Sequence, residues 1–249
     1  MSKIEELRDW GLSLYFLARN NSFTFNWNGT KFKLFVSTYC EYNRGKEGAK
    51  REPKTNKWID DFKKNDVFYD IGANVGIYSL YAAKRVGCQV FAFEPLYHNF
   101  STLNKNIILN DLGDRITAYC LCLHESLDID KIHMKSLESG YGTAYFKHGE
   151  TDIVFKQGSI GLPIDEITKF LPFPNHIKID VDGNERYIVE GMKKTLQNAK
   201  LKSVLIEIRE DKEWFMNIFT KAGFKLVDTE LAGKHKGKDF YDYIFVRKN

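Results

Sequence analysis

Cysteine is scarce. Cys40, Cys88, Cys120 and Cys122 are the four in 249 residues, and no CxxC pair or other metal-ligand spacing occurs among them. A chain of this length buries a sizeable core without disulfide or metal staples. The thiols are therefore expected to be reduced and buried, as in a cytoplasmic protein. Cys120 and Cys122 lie two apart in an apolar run, which on a strand puts them on one face. No run of about 18 apolar residues exists, so no membrane-spanning helix or stable membrane insertion is expected. The opening MSKIEELRDWGLSLYFLARN lacks the basic, long apolar and small-residue regions of a signal peptide. Charge of one sign is missing too. Lys plus Arg number 37 against 33 for Asp plus Glu, a dispersed net charge of +4. That balance argues against a nucleic-acid partner. Hydrophobic residues at 43% and charged residues at 28% exclude disorder.

The pattern along the chain divides it in two. Residues 1–57 read as an N-terminal helix, a hairpin and a charged linker. In the helix, Ile4, Leu7, Trp10, Leu14 and Leu17 recur at helical spacing. Its aromatic side chains offer a lid or a homo-oligomer surface. Residues 23–39 alternate around Asn28-Gly29, a hairpin signal. Residues 41–57 are charged, contain Gly and Pro, and read as a mobile loop. Residues 58–249 form the main domain. WIDDFKK reads as a short helix. DVFYDIG, CQVFAFEP and DRITAYCLCL then alternate with two helical segments, which predicts a parallel sheet covered by helices. An insertion over about 124–170 holds the strand-like pieces IHM, GTAYF and DIVF, then a short helix in LPIDEITKFL. HIKIDVDG and LKSVLIEIRE continue the sheet, each followed by one helix. KLVDTEL and FYDYIFVRK have no helix between them and should pair antiparallel.

The string most suggestive of chemistry is Asp70-Ile-Gly72-Ala-Asn74-Val-Gly76, between a strand and a helix. Glycine there lets the backbone turn tightly and approach a ligand. The next strand ends in Glu94, a carboxylate suited to both hydroxyls of a ribose. The turn is G-x-N-x-G rather than the G-x-G-x-x-G that cradles a pyrophosphate. Asp70 beside it would repel a phosphate and suits a ligand with an amino group. S-adenosylmethionine (SAM) has an ammonium group and a ribose but no phosphate. Rossmann-like methyltransferases that use it also end their sheet in an antiparallel hairpin.

The blocks FYDIGANVGIYSLYAA, FAFEP, IKIDVDGNE and LIEI, over residues 50–225, resemble the FkbM family of SAM-dependent methyltransferases. The resemblance implies a class I, Rossmann-like α/β fold with a mostly parallel seven-stranded sheet and a C-terminal antiparallel hairpin. It implies methyl transfer from SAM, typically to an oxygen of a sugar, polyketide or similar metabolite. Asp70, Gly72, Ala73, Asn74 and Gly76 match its first block and are implied to bind the cofactor, with Glu94, Pro95 and Asn99. Lys178, Ile179, Asp180, Val181 and Gly183 match its KIDVEG block, and Asp182 stands where Glu is usual. After the third strand, Leu123-His124-Glu125 departs from the small residues common there.

The charges of the fourth strand are unusual for a buried parallel strand. Alternation puts Lys178, Asp180 and Asp182 on one face, and Glu207 and Arg209 share a face of the next strand. An acceptor hydroxyl needs a general base and alignment with the methyl carbon. Asp180 is the candidate base or positioning group, with Lys178 and Asp182 assisting. A divalent cation on Asp180 and Asp182 is chemically possible, but no separate metal signature supports one, so none is assigned. The alternative for Lys178 is a structural cross-strand ion pair with Glu207. His124 and His176 are lesser candidates for the base. Tyr141, Tyr145 and His148 could line an acceptor pocket. The competing functions are an NAD-linked oxidoreductase, a non-catalytic methyltransferase-like binding module and an RNA methyltransferase. The expected partner is a small-molecule or glycan acceptor.

Overall fold

The computed structural model describes residues 22–142, 144–147, 152–235 and 237–248. The helix expected over residues 1–20 and His148 lie outside them. Strands β1 (Ser22–Trp27) and β2 (Thr30–Phe35) form the hairpin expected from Asn28-Gly29. Both turn residues have positive φ, +47° and +84°, the geometry that twists with the strands it joins.

The charged stretch after the hairpin is not a loop. It forms α1 (Tyr39–Arg51) and α2 (Pro53–Asp60). Thr38 and Glu41 make a reciprocal capping box at the start of α1, and Pro53 opens α2, where its missing N–H costs nothing. The glycines that suggested a loop are close-packing positions. A Cβ at Gly45 would lie 2.6 Å from the Phe25 ring, and one at Gly48 2.5 Å from Trp27. Helix α1 can lie on the hairpin only because those side chains are absent.

The main sheet follows. It contains β3 (Val67–Ile71), β4 (Gln89–Phe93) and β5 (Ile116–Tyr119), linked by α3 (Ile77–Arg85) and α4 (Tyr97–Leu109). An insertion contributes β6 (Cys122–Leu123), β7 (Asp128–Met134), β8 (Ala144–Phe146) and β9 (Phe155–Leu162), a separate sheet in the order β6-β9-β7-β8. Then come α5 (Ile164–Ile167), β10 (His176–Ile179), α6 (Glu185–Glu190), α7 (Lys193–Gln197), β11 (Ser203–Ile208), α8 (Lys212–Lys221), β12 (Phe224–His235) and β13 (Lys238–Arg247). The seven-stranded sheet has the order β12-β13-β11-β10-β3-β4-β5. It is mixed: β13 runs antiparallel to both its neighbours, and the pairs from β11 to β5 are parallel.

Three local readings are corrected. Cys120 and Cys122 do not share a strand face, because the chain leaves the main sheet after Tyr119; Cys120 is exposed and Cys122 is buried in the second sheet. The strand read at DIVF begins only at Phe155 and runs on to Leu162, where pairing with β7 is available. The helix after β10 is two short helices broken at Gly191, where a Cβ would strike the His124 carbonyl.

Side-chain alternation along the parallel strands makes two cores. Phe68, Val90, Ala92 and Leu205 face α3, the hairpin and Trp58. Tyr69, Phe91, Phe93, Ile177, Ile179 and Val204 face α6 to α8. Among the described residues, no helix is long and apolar enough to cross a membrane.

Glu41 fastens α1 to this frame. It is fully buried and accepts hydrogen bonds from the Ser37 and Thr38 amides and from the Ser37 and Thr102 hydroxyls. Glu41→Ala strands those donors. It is expected to cost about 3 kcal/mol in urea unfolding, the scale of losing hydrogen bonds to a buried charge. Unfolding should stay a single transition, with no early release of α1.

Candidate active site

In an open α/β sheet, ligands bind beyond the carboxyl ends of the strands where the strand order reverses. Here that point lies beside β3, which pairs with β4 on one side and β10 on the other. The chain leaves β3 at Gly72, with φ +79°. A Cβ there would overlap the Asp180 carbonyl oxygen, so only glycine lets the ends of β3 and β10 approach this closely. The Gly72 and Ala73 amides both donate to the Phe93 carbonyl, at 2.9 and 3.1 Å, which ties the turn to β4. Gly76, with φ +86°, starts α3 against Leu103.

Glu94 closes the end of β4. One carboxylate oxygen accepts from the Asn74 amide at 2.7 Å and the other from the Leu96 amide at 2.9 Å. The Asn99 side chain hydrogen-bonds the same carboxylate. Burial pushes the Glu94 pKa up to about 7 against the pull of those amides. Glu94 lines a cleft of about 700 Å³ that also meets Gly72, Asn74, Pro95, Asp180 and Asp182. The cleft is apolar at one end, where Leu96, Cys122 and Phe146 face it.

The other end is charged. Lys178 is buried and donates to Asp180 Oδ2 at 2.7 Å, with its ammonium 5.0 Å from the Tyr78 ring centroid. Burial by itself would raise the Asp180 pKa, but Lys178, with Arg44 and Arg209 further off, holds it below the usual carboxylate range. Lys178 is in turn kept protonated by Asp180, Glu52, Asp70 and Asp242, which outweigh its burial. Asp182 is ion-paired with Arg209, which also donates to Glu207 at 2.7 Å. Burial still raises Asp182, and it pushes Glu207 up to about 9. Both carboxylates once weighed as metal ligands are thus engaged by cations. The alternative pairing of Lys178 with Glu207 does not form: each is bonded to a residue two positions further along its own chain.

The structure does not bring every predicted residue to the cleft. Asp70 is buried on the α3 face of the sheet. It accepts from Ser79 Oγ at 2.5 Å and stands across from Lys178 in the strand register. Its side chain lies on the same face of the sheet as Lys178, and it does not line the cleft beside Glu94. Asn99 accepts from the Gly140 amide and donates to the Tyr141 carbonyl, which also accepts from Asn74. Asn99 holds the insertion against the glycine turn, and its side chain hydrogen-bonds Glu94. Tyr145 lies buried beneath Gly183, and Tyr141 contributes its backbone. His176 stacks on Phe62 at 3.7 Å and meets Asp66 and Ser203, and burial lowers its pKa to about 4. His124 is buried against Tyr187. Neither histidine is in position to act as the base.

Three site residues escaped the sequence reading. Arg44 lines the cleft from α1 and donates through Nε to the Gly140 carbonyl at 2.5 Å. Glu52, between α1 and α2, accepts from the Tyr78 hydroxyl at 2.5 Å. Glu185 accepts from the Val181 and Gly183 amides, shaping the turn after β10. The signal for Arg44 was its spacing from Gly48 and Arg51, which puts all three on one helix face.

Residues 70–242 match the model of the methyltransferase FkbM domain. The chain is 23% identical to the hexuronic acid methyltransferase AglP of Haloferax volcanii over 245 residues, covering 96% of this chain and 95% of that protein. Among solved structures, a tRNA m1G37 methyltransferase of M. jannaschii aligns with a TM-score of 0.51 at 13% identity, covering 93% of this chain and 58% of that one. TrmK of M. capricolum, solved with S-adenosyl-homocysteine, aligns with a TM-score of 0.50 at 12% identity, covering 79% of this chain and 68% of that one. At such identities the two structures speak for the fold alone.

The Lys178–Asp180 pair has a measurable signature. Lys178→Met leaves the half-buried Asp180 carboxylate without its nearest cation. The variant should lose about 3 kcal/mol in urea unfolding. Its Asp180 carboxyl, followed by carbon NMR, should titrate at higher pH than in the wild type.

Proposed function

The chain belongs to the FkbM methyltransferase domain family, and on that premise we propose that it transfers a methyl group from SAM to a hydroxyl of a sugar, glycan or other small metabolite. The observation that carries this reading is Glu94. It is a carboxylate clamped by two backbone amides at the wall of the cleft, one strand beyond a glycine turn, where a ribose diol would meet it. The residues around it fit the rest of the group. Pro95, Leu96, Cys122 and Phe146 offer apolar surface to a planar base, and Gly72 leaves backbone open where a side chain would intrude. The relative from Haloferax volcanii, a hexuronic acid methyltransferase matched over nearly its whole length, supports a sugar as acceptor.

SAM, when bound, supplies a methyl carbon made electrophilic by its sulfonium. The protein's part is to hold the acceptor in line and manage one proton. Asp180 suits that work. Its side chain is 31% exposed, whereas its partner Lys178 is only 2% exposed. Lys178 keeps Asp180 anionic, so Asp180 accepts a hydrogen bond from the acceptor hydroxyl and turns an oxygen lone pair toward the methyl carbon. A carboxylate with a lowered pKa is a weak base in the ground state. It receives the proton as bond formation makes the hydroxyl acidic. Asp182, anchored by Arg209, faces the same cleft and supplies a second contact for the acceptor.

Glu94→Gln is expected to weaken SAM binding about ten- to a hundredfold in calorimetric titration, the scale of hydrogen bonds to a charged group. Glu94 binds the diol as a carboxylate and has a pKa of about 7. Wild-type affinity should therefore fall as pH drops from 8 to 6, and the Gln variant should lose that dependence. Unchanged affinity in Glu94→Gln would remove the ribose assignment.

Asp180→Asn should lower kcat about a hundredfold or more, on the scale of a positioned acid–base group, with SAM affinity changed little. Full turnover in that variant would end the role given to Asp180.

A further inference from the structure

The face of the main sheet that carries Lys178 also carries a row of acids. Lys178 is in register with Leu205 of β11, and Leu205 with Ile244 of β13. Two residues nearer the carboxyl ends of the parallel strands, alternation puts Asp180, Glu207 and Asp242 on that same face. Asp242 is paired in register with Glu207 on one side and Glu230 on the other. Acids directly opposite one another across a ladder repel.

Three of these four acids have a partner. Asp180 accepts from Lys178 at 2.7 Å, Glu207 from Arg209 at 2.7 Å, and Glu230 from the Lys54 amide at 3.1 Å. Asp242 differs. It is 3% exposed, and among the described residues its carboxyl makes no hydrogen bond or ion pair. The groups that face it are Glu52 from the α1–α2 junction, Tyr78 from α3, and Lys178 and Asp180 from β10 and its turn. Glu207 of β11, engaged by Arg209, and Glu230 of β12 complete the set. Both cations there are already bonded to other carboxylates. A carboxylate buried without a partner is costly, and such a group takes up a proton instead. Burial, then the charges of Glu52 and Asp180, hold the Asp242 carboxyl well above the usual range, against the pull of Lys178.

We propose that Asp242 is a positioning residue that keeps its proton in the native protein at neutral pH, and that this leaves the Lys178 ammonium to Asp180 alone. Its bearing on methyl transfer rests on the role given to Asp180 above; the proton on Asp242 does not. An ionised Asp242 draws the same ammonium and loosens the bond that orients Asp180. Only at alkaline pH, once ionised, does Asp242 join Asp180, Glu52 and Asp70 in holding the Lys178 proton.

The test uses the full chain without ligand. A carboxyl that keeps its proton when folded and loses it when unfolded lends its full stability only below the unfolded pKa, about 4. That stability is lost as pH rises toward the folded value. Urea unfolding of the wild type and Asp242→Asn is compared at pH 5 and pH 7. The folding constant of the wild type should fall relative to the variant by about tenfold per pH unit, about a hundredfold in all. Asparagine has no proton to lose, so the ratio isolates residue 242 from the other acids. A ratio that stays flat would overturn the proposal, because Asp242 would then be ionised in the folded chain as in the unfolded one. Carbon NMR of the aspartate carboxyls reads the same proton in the wild type alone. The Asp242 carbon should show the shift of a carboxylic acid at pH 7, and a carboxylate shift there would be fatal to the idea. As pH is raised until Asp242 ionises, the Asp180 signal should move further in the wild type than in Asp242→Asn. Equal movement in both would strike the positioning role. Full turnover in Asp180→Asn would remove the catalytic premise and leave these readouts unchanged.

Discussion

One buried ammonium organises the charged end of this molecule. Lys178 projects from the middle of the main sheet and is almost wholly buried, and a charge there persists only if it is paired. Its direct partner is Asp180, one step beyond the strand. Asp70, Glu52 and Asp242 surround it from neighbouring elements and keep it protonated. The arrangement works in both directions. The carboxylates hold the proton on Lys178, and Lys178 holds Asp180 anionic at the mouth of the cleft. The methyl-acceptor chemistry assigned to Asp180 depends on that exchange.

A second constraint is steric. The carbonyl of Asp180 occupies the space that a side chain at residue 72 would need. The glycine turn and the charged turn after β10 are therefore one structure seen from two strands. Glu94 joins the same structure through the Asn74 amide, and Asn99 and Asn74 tie it to the insertion through Tyr141. The cleft is thus assembled from three connections at the ends of β3, β4 and β10, with the insertion as its cover. Helix α1 is the fourth side, locked by Glu41 and brought close by Gly45 and Gly48.

How much of this was legible in the sequence follows from the range of the forces involved. The hairpin turn, the strand-helix alternation and the terminal antiparallel pair are written in local patterns, and the chain follows them. The linker was misread because its glycines serve a distant partner. Gly48 makes room for Trp27, and nothing in residues 41–57 alone reveals a ring waiting there. The single helix read after β10 failed for a similar reason, since the break at Gly191 answers to the His124 carbonyl. Asp70 shows what the string alone leaves out: alternation along β3 sets it on the face of Lys178, where it also accepts from Ser79.

The sequence by itself determined the α/β alternation, the glycine turn, the acid at the end of the second parallel strand and the family to which they belong. Each is a short string whose chemistry is complete within a few residues. The tertiary structure alone decided which carboxylates are ionised, which of them face the cleft, and that the segment before the domain forms one of its walls. Those outcomes depend on burial and on contacts between residues far apart in the chain. The pairing of Arg209 with Asp182 and the reach of Arg44 to Gly140 exist only once the strands and helices have met.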